Sequence, residues 1–458
     1  MNWWSTHQLK SNKPDARIAA IRKLTITQKV ESIGMFAEMV GDPDPSVRQA
    51  VAEALSTFRD ERVVIPLSIL LNDTSPAIRE AAAIALGDTG LKRSEKQLLS
   101  SLKDSNAQVR RAAARSLELL GWQPSSSEER AMHWVAIGRY MQAAQEGETA
   151  FIPLLAVLQG DTYQQRKAAV EALSRLDDER AIRPLIAALK DSDSHVRVSA
   201  VEAIGRMGNP EAVDAVISAL KDEFPPVRVA AAEVLGRIGG PKVFNPLTVA
   251  LRDKSWDVRR SAVEALGRLG DERVIDPLLS VYKDNDTDVR MAVVRALAAL
   301  QDPRAIPALI ITLTDEQRPV REAAVTALLR IDQYWDQTEA AQSVMPELEA
   351  AQRSREYWVR QAASDVLTRI EKARVLNQGP EEEASAAMAQ APLTVQLLVG
   401  LLRDSDRDFR LAAAEALGRL GDVRVETALG LAQQDIDPWV QAAAGHAWEA
   451  IQHRPVGK

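Results

Sequence analysis

The stretch Asp191–Gly208, with the sequence DSDSHVRVSAVEAIGRMG, is the unit that this chain repeats. Arg197 marks its register, and arginines in the same setting recur along the chain, most of them 31 residues apart. The thirteen markers are Arg17, Arg48, Arg79, Arg110, Arg166, Arg197, Arg228, Arg259, Arg290, Arg321, Arg360, Arg410 and, with a different residue, Gln441. A fixed period of this size is typical of a stacked-repeat architecture.

Each repeat reads as two helices joined by a tight turn. Counting positions from the marker, Val or Ile usually stands one before it, Ala or Val three and four after it, and Leu seven after it. This spacing places one apolar stripe on a helix. Glycines such as Gly208 and Gly239 close many of these helices at position 11, and a shorter apolar helix with an early proline, such as Pro184, comes before. Neither helix can bury its stripe alone, so the repeats must stack.

An aspartate stands six residues before most markers, as Asp222 does before Arg228. An acid in every turn and an arginine in the first turn of the following helix suit a ladder of charge-assisted hydrogen bonds between repeats. The alternative is that these aspartates form an acidic row that binds a ligand. Because the pairing recurs with the period of the fold, the pattern favours the structural ladder.

The proline-bearing first helix, the Asp turn and the Val-Arg start of the second helix resemble HEAT repeats, and most closely the short bacterial HEAT-like type of phycobilisome lyases. The resemblance covers nearly the whole chain. It implies an all-α fold, an α-solenoid (superhelix) of about thirteen helix-turn-helix repeats of 31 residues, in which the second helices line the concave surface. Scaffolds, chaperone-like subunits and bilin lyases all use this repeat, so the resemblance implies a bacterial protein but no single activity.

Breaks in the marker spacing divide the chain. The predicted segments are 1–121 (repeats 1–4 with an N-terminal cap), 122–149 (an inserted helix), 150–332 (repeats 5–10), 333–376 (an irregular repeat 11), 377–392 (an acidic flexible loop) and 393–458 (repeats 12–13 with a C-terminal cap). In the insertion, Ser126 and Glu129 have the spacing of a capping box. They predict one helix through AMHWVAIGRYMQAAQ, with Trp134, Ile137 and Met141 on its buried side.

Composition and motifs argue against catalysis, cofactors and metal. The chain has no Cys, which excludes disulfides and thiolate metal sites. Its five histidines form no HExxH motif and no pair four residues apart, no Gly-rich phosphate loop is present, and no Ser/His/Asp set can be proposed. We therefore predict no catalytic residue, no metal ligand and no cofactor.

Net charge and hydropathy limit the classes of partner that the protein is expected to bind. The net charge is −7, which disfavours nucleic-acid binding. No run approaches the roughly 20 apolar residues of a membrane helix, and the N-terminus lacks the apolar core of a signal peptide. These features predict a cytoplasmic protein whose partner is another protein or a peptide, with no nucleic acid, membrane or metal.

Two surfaces are candidates for binding that partner. The second helices carry Glu at position 5 and Arg at position 9, giving i,i+4 pairs such as Glu202–Arg206 and Glu233–Arg237. This face is either self-neutralised and solvated, or a polar groove that selects a charged partner. The turns carry large residues where polar ones are usual, which either pack on adjacent turns or form a partner-binding ridge: Tyr163, Phe224, Trp256, Trp358 and Trp439.

The sequence thus predicts a noncatalytic scaffold or adaptor for protein–protein interactions, which uses the concave helix face and the turn ridge. Phe224 and Trp256 occupy turns of adjacent repeats, and with Glu233 and Arg237 they are the predicted main contact site. One alternative, implied by the resemblance, is a chaperone-like bilin lyase or lyase subunit acting on phycobiliproteins. A second, which would need a continuous basic groove, is a helical-repeat nucleic-acid repair protein.

Overall fold

The computed structural model describes residues 7–160, 162–378 and 391–452, and all regular structure in this part of the chain is helical. The predicted acidic loop therefore lies mostly outside the described residues. By its internal contacts the chain forms two compact units, Met1–Pro277 and Leu278–Lys458. The prediction of an all-α solenoid is confirmed.

Unit 1 alternates short first helices with longer second helices, apart from an insertion after the fourth repeat. Its helices are α1 (Pro14–Ile26), α2 (Glu31–Ala37), α3 (Pro45–Ser56), α4 (Val64–Leu70), α5 (Pro76–Asp88), α6 (Glu95–Ser101), α7 (Ala107–Leu119), α8 (Ser127–Ala136), α9 (Tyr140–Ala144), α10 (Phe151–Val157), α11 (Tyr163–Leu173), α12 (Ile182–Ala188), α13 (Ser194–Met207), α14 (Val213–Ala219), α15 (Pro225–Ile238), α16 (Phe244–Ala250) and α17 (Trp256–Leu269). The next helix, α18 (Ile275–Leu279), contains the division between the units.

Unit 2 continues the same alternation, with an irregular connection before its third second helix. Its helices are α19 (Thr287–Leu300), α20 (Ile306–Thr312), α21 (Arg318–Ile331), α22 (Glu339–Ser343), α23 (Met345–Ala351), α24 (Tyr357–Gln378), α25 (Leu393–Leu401), α26 (Arg407–Leu420), α27 (Glu426–Ala432) and α28 (Pro438–Gln452). All thirteen markers lie in second helices, so the register read from the sequence is the register of the fold.

The core of each repeat is the apolar stripe that the sequence predicts. In α15, Val227 before the marker is 1% exposed and Leu235 at position 7 is 0% exposed. Small residues let adjacent second helices approach closely. A Cβ atom on Gly236, at position 8 of α15, would lie 2.6 Å from the Cβ of Ala265 in α17. Only glycine allows this crossing at the observed separation.

The insertion differs from its prediction, because it forms the two helices α8 and α9 and not one. Gly138, between them, adopts a left-handed φ of 79°, which a continuous helix does not permit. Ser126 caps α8 by accepting a hydrogen bond from the Glu129 amide at 3.2 Å. The predicted buried side is also wrong in part, because Met141 is 40% exposed while Met132 and other α8 residues are buried. With the helix broken, residues before and after Gly138 no longer share one stripe.

The connection around residues 332–343 is ordered as well. Trp335 is 2% exposed, and the Arg369 guanidinium carbon lies 4.7 Å from the centre of its ring. The same Arg369 donates to Asp336 at 2.6 Å. The connection that the sequence shows as lengthened is therefore packed against α24 in unit 2. After it, α24 extends through Gln378, two residues into the segment predicted as a loop.

Candidate functional site

The aspartates of the turns are bound by the marker arginines of the preceding repeats, which confirms the predicted ladder. The pairs are Arg17–Asp42, Arg48–Asp73, Arg79–Asp104, Arg166–Asp191, Arg197–Asp222, Arg228–Asp253, Arg290–Asp315 and Arg410–Asp435, with closest nitrogen–oxygen distances of 2.6 to 2.8 Å. In these eight pairs the carboxylate faces its own chain's guanidinium and not an external ligand.

One rung shows how the ladder is built. Arg197 donates from Nε and Nη2 to both carboxylate oxygens of Asp222, at 2.7 and 2.9 Å, and from Nη1 to the carbonyl of Asp191 at 2.9 Å. Asp222 also accepts the Phe224 amide at 2.9 Å. Burial alone would raise the pKa of Asp222, but the hydrogen bond from Arg197 and that amide outweigh it and lower the pKa. The rung is structural.

The turn aromatics are partly covered by neighbouring side chains. The Tyr163 ring lies 5.7 Å from the His195 ring, and the Phe224 ring lies 5.3 Å from the guanidinium of Arg197. Trp256 is likewise 5.6 Å from the guanidinium of Arg260. These three aromatic side chains are still 38–44% exposed. They pack on their own chain and leave surface for a partner.

Trp358 belongs to unit 2 and is more open. It is 63% exposed, and the ring of Tyr357 meets it edge to face at 5.1 Å. In unit 1, Tyr163 begins α11, Phe224 directly precedes α15 and Trp256 begins α17, whereas Trp358 is the second residue of α24 in unit 2.

On the exposed side of the second helices, the arginines at position 9 turn backward to the preceding repeat. Arg206 donates from Nε and Nη2 to the Ser174 hydroxyl at 3.3 and 3.0 Å. The Nη2 atom of Arg237 lies 3.1 Å from where a Cβ of Gly205 would stand. In the same way, Arg268 lies 3.2 Å from the corresponding point on Gly236. Each arginine covers the small residue at position 8 of the repeat before it and fills the groove between the two helices.

Because Arg206 and Arg237 extend toward the preceding repeat, two of the predicted i,i+4 ion pairs do not form. Within the described residues, neither Glu202–Arg206 nor Glu233–Arg237 comes within ion-pair distance, although all four side chains are exposed. The equivalent pair Glu415–Arg419 does form, at 3.4 Å. An exposed helix pair contributes only about 0.2–0.5 kcal/mol, so a contact across the groove can replace it.

Two of the clefts among the described residues lie beside a position 9 that does not carry arginine. The N-terminal cleft, of about 350 Å³, lies between α3 and α5, and the C-terminal cleft, of about 590 Å³, lies between α26 and α28. Position 9 of the later helix is Asp88 in the first cleft and Ala450 in the second. Neither side chain is long enough to fill the groove as Arg206 does.

The C-terminal cleft is the more apolar of the two. Trp439, which is 72% exposed, stands at one end, and Leu411 and the alanines 442, 443, 447 and 450 line it. Glu415, Arg419 and His446 supply the polar rim. Trp439, the most exposed of the five predicted turn aromatics, therefore lies beside the exposed face of the second helices. At this point the predicted turn ridge and the predicted helix face are one surface.

A third cleft, of about 500 Å³, lies at the start of the irregular repeat. It is lined by Asp336 and Gln337 of the connection and by Asp365, Thr368 and Arg369 of α24, together with Lys372 and Ala373. Its Arg369–Asp336 ion pair, at 2.6 Å, already occupies part of the rim. This cleft is more polar than the C-terminal one and partly filled by its own charges.

Sequence reasoning named Trp439 and Glu53 but missed Ile84, Asp88 and Ala450. Ile84 is 45% exposed and lines the N-terminal cleft. The sequence carried only part of the signal, because position 9 departs from arginine at residues 88 and 450 but also in four other repeats. Its meaning required the direction in which Arg206 and Arg237 extend, which only the structure shows.

Among the described residues, no group of three or more His, Asp or Glu side chains is arranged to hold a metal ion. In the same part of the chain, no helix combines the length and the apolar character needed to cross a membrane.

Thirteen second helices, each preceded by a turn and stacked through recurrent arginine–aspartate rungs, define an all-α repeat protein of the solenoid class. A model described as HEAT repeats matches residues 6–74, 66–131, 152–223, 213–292, 245–329 and 275–368, which together are well over half of the chain. The chain therefore belongs to the HEAT-repeat family. A model described as the PBS lyase HEAT-like repeat matches residues 409–435.

Solved structures show distant likenesses. An engineered protein is 20% identical, with 80% of this chain and 98% of that chain covered and a TM-score of 0.34. Kap95p, whose binding induces the switch loops of RanGDP to adopt the GTP-bound conformation, is 14% identical, with 98% of this chain and 76% of that chain covered and a TM-score of 0.37. No curated protein sequence matches this chain significantly.

Proposed function

We propose that this protein is a noncatalytic scaffold or adaptor that binds another protein, or a peptide segment of one, on the exposed face of its second helices. The observation that carries this proposal is the pair of open clefts at one register of that face. Clefts of about 350 and 590 Å³ fall in the size range of sites that hold side chains or small ligands.

The position of the clefts supplies specificity. Arg206, Arg237 and Arg268 at position 9 extend into the groove toward the preceding repeat, so these neighbouring repeats present similar surfaces. A partner gains discrimination only where the surfaces differ. The N-terminal and C-terminal clefts are such places, because each replaces a charged, filled groove with an open one.

The C-terminal cleft is the proposed anchor. Its apolar lining beside Trp439 is suited to bury an aliphatic or aromatic side chain of the partner, and exposed tryptophans are frequent hot spots in protein interfaces. The Glu415–Arg419 pair at the rim leaves the cleft without a dominant charge. Affinity there should come mainly from apolar burial.

The turn aromatics and the charged residues of the second helices form the rest of the proposed surface. Phe224 and Trp256, with Tyr163, offer partly exposed rings at the helix starts, and Trp358 does so in unit 2. Glu202, Arg206, Glu233 and Arg237 lie exposed on the second helices of unit 1. We assign these residues to secondary contacts that extend the interface along the repeats.

Site-specific photo-crosslinking tests the proposal. A photoreactive amino acid at Ala442, in the C-terminal cleft, should crosslink a protein in the native host, and the same group at Val249, on a first helix and 73% exposed, should not. Ala450→Arg should abolish the crosslink, because the new side chain would cover Gly418 as Arg237 covers Gly205.

Crosslinks of equal yield at both positions, or an unchanged crosslink in Ala450→Arg, would remove the second-helix face as the binding surface. Visible absorbance from a bound tetrapyrrole in the purified protein, without any protein crosslink, would favour the bilin-lyase alternative.

A further inference from the structure

The groove between the second helices α11 and α13 shows how the exposed face of these helices binds a guanidinium group. Ser174 donates its hydroxyl proton to the carbonyl of Glu171 at 2.8 Å, so its oxygen is available as an acceptor. That oxygen receives both Nε and Nη2 of Arg206 from the next repeat. The groove is therefore a place where a guanidinium group lies against a serine hydroxyl that itself donates to a backbone carbonyl.

The N-terminal cleft contains the same acceptors without the guanidinium. Glu53 and Ser56 occupy the positions of Glu171 and Ser174, and the Ser56 hydroxyl likewise donates to the carbonyl of Glu53 at 2.8 Å. At the position equivalent to Arg206 stands Asp88, which lines the open cleft. The repeat thus keeps the receiving side of the contact and replaces the arginine with an acid.

Charge and shape in the cleft match a cationic side chain. Glu53, Glu80 and Asp88 place three carboxylates around a volume of about 350 Å³. Among the residues that the structure describes, no basic side chain lies within ion-pair distance of any of the three. Beside them, Ile84 is 45% exposed and gives the cleft an apolar wall.

We propose that the N-terminal cleft binds an arginine side chain of the partner, which takes the place that Arg206 fills from within the chain in a regular groove. An aliphatic residue of the partner next to that arginine would contact Ile84. Arginine is favoured over lysine because its planar guanidinium can donate to Ser56 and to the carboxylates at once, whereas an ammonium is a single compact charge. This assignment rests on the proposed function and names the partner chemistry for one of its two clefts.

Disulfide tethering tests the proposal directly, because the natural chain has no cysteine. In Ala77→Cys the only thiol would lie in the lining of the N-terminal cleft. The probes are N-acetyl-cysteinyl-arginine amide and its lysine, citrulline and glutamate counterparts, with zero to two glycines between the two residues. The measured quantity is the concentration of 2-mercaptoethanol at which half of each mixed disulfide remains, read by mass spectrometry of the intact protein.

The arginine probe should withstand at least about tenfold more reductant than the neutral citrulline probe, because its guanidinium forms charge-assisted hydrogen bonds that the uncharged citrulline side chain does not. The lysine probe should fall between them, and the glutamate probe should be the weakest. In Ala77→Cys with Asp88→Arg, the preference for arginine should disappear, because the new side chain fills the groove from within. Ala77→Cys with Asp88→Asn should lose part of the preference while keeping the side-chain volume.

The matched control is His195→Cys, whose thiol would stand at the same repeat position beside the groove that Arg206 fills. No preference for the arginine probe is expected there. Equal tethering of arginine and citrulline at residue 77, or the same arginine preference at residue 195, would overturn the proposal. Circular dichroism of each variant checks that it is folded. Crosslinking retained in the C-terminal cleft without an arginine preference here would overturn this assignment alone and leave the scaffold proposal standing.

Discussion

Arg228 in α15 holds both carboxylate oxygens of Asp253 in the following turn, with its Nη2 and Nε atoms at 2.7 and 2.8 Å. Its Nη1 atom donates to the carbonyl of Asp222 at 2.8 Å, so one guanidinium ties its own turn to the next. The side chains of Arg228 and Asp253 are only 5% and 14% exposed. Such rungs make the stacking of repeats depend on polar contacts as well as on apolar burial.

Arg228→Ala should therefore destabilise the fold much more than Arg237→Ala. The first change leaves a largely buried carboxylate and a carbonyl without their donor, which costs about 2–4 kcal/mol. The second removes an exposed side chain and should cost no more than about 0.5 kcal/mol. Urea unfolding followed by circular dichroism measures both. Equal midpoints for the two variants would mean that the rung contributes little.

The ladder also predicts a loss of stability in acid. The hydrogen bond from Arg48 lowers the pKa of Asp73 below its ordinary value. A carboxyl group whose pKa is lowered by folding stabilises the protein above its unfolded pKa, near 4, and this contribution is lost as the pH falls through the folded value. The free energy of unfolding should therefore change little between pH 7 and pH 5 and decline below about pH 4.

Asp73→Asn should lower stability at pH 7 and weaken the decline in acid, because one of the titrating groups is gone. Asp214→Asn is the control, since Asp214 forms an exposed ion pair with Lys242 and is 73% exposed. Urea midpoints from pH 7 to pH 3 give the comparison. An acid decline as steep in Asp73→Asn as in the natural protein would assign the effect to other carboxylates.

The ends of the second helices offer a stabilising substitution. Gln301 closes α19 with a left-handed backbone, at φ 53° and ψ 32°, where Gly208 and Gly270 serve in other repeats. Gln301→Gly should raise stability by about 0.5–1 kcal/mol, because glycine adopts this conformation without a steric cost. Gly270→Ala is the reverse test. A Cβ on Gly270 would meet no atom within 4 Å, so its expected loss of about 1–2 kcal/mol would come from the backbone alone.

Close helix packing predicts opposite effects for two glycine-to-alanine changes in unit 1. Gly236→Ala would place a Cβ 2.7 Å from the Cα of Ala265, so α15 and α17 would have to separate at a cost of about 1–3 kcal/mol. Gly34→Ala, on α2, would meet no atom within 4 Å and should stabilise by up to about 1 kcal/mol through helix propensity. Thermal unfolding of both variants distinguishes the two effects. Destabilisation by both would contradict the assigned roles.

These contrasts show what the sequence contains and what it lacks. The fold, the thirteen second helices and rungs such as Arg228–Asp253 follow from the period, because each interaction is repeated with identical residues at identical spacing. The break at Gly138 was missed because a single glycine inside a helical pattern is usually tolerated. The break depends on the backbone conformation of Gly138, which a hydrophobic pattern does not encode.

The site was harder to predict than the fold. The sequence placed Arg206 beside Glu202, one turn away, since that pairing is the local option. In the structure Arg206 reaches Ser174, which lies 32 residues earlier. An exposed i,i+4 ion pair contributes only about 0.2–0.5 kcal/mol, so spacing alone is a weak guide to the direction of the side chain. The clefts could not be predicted for the same reason, because they depend on side-chain directions that the spacing does not specify.

The C-terminal cleft should contribute more to the affinity for the partner than the turn aromatics Phe224 and Trp256. Phe224 and Trp256 lie against Arg197 and Arg260, so part of each ring is already used within the chain. Trp439 is 72% exposed and stands at the apolar C-terminal cleft.

Trp439→Ala and Ala450→Arg should each weaken binding of the crosslinked partner at least about tenfold, as expected for an interface hot spot. The double change Phe224→Ala with Trp256→Ala should weaken it less than about threefold, because such secondary contacts contribute little individually. Affinities measured by surface plasmon resonance, with circular dichroism to confirm folding, give the order. A larger loss in the double variant would move the main contact to the turns.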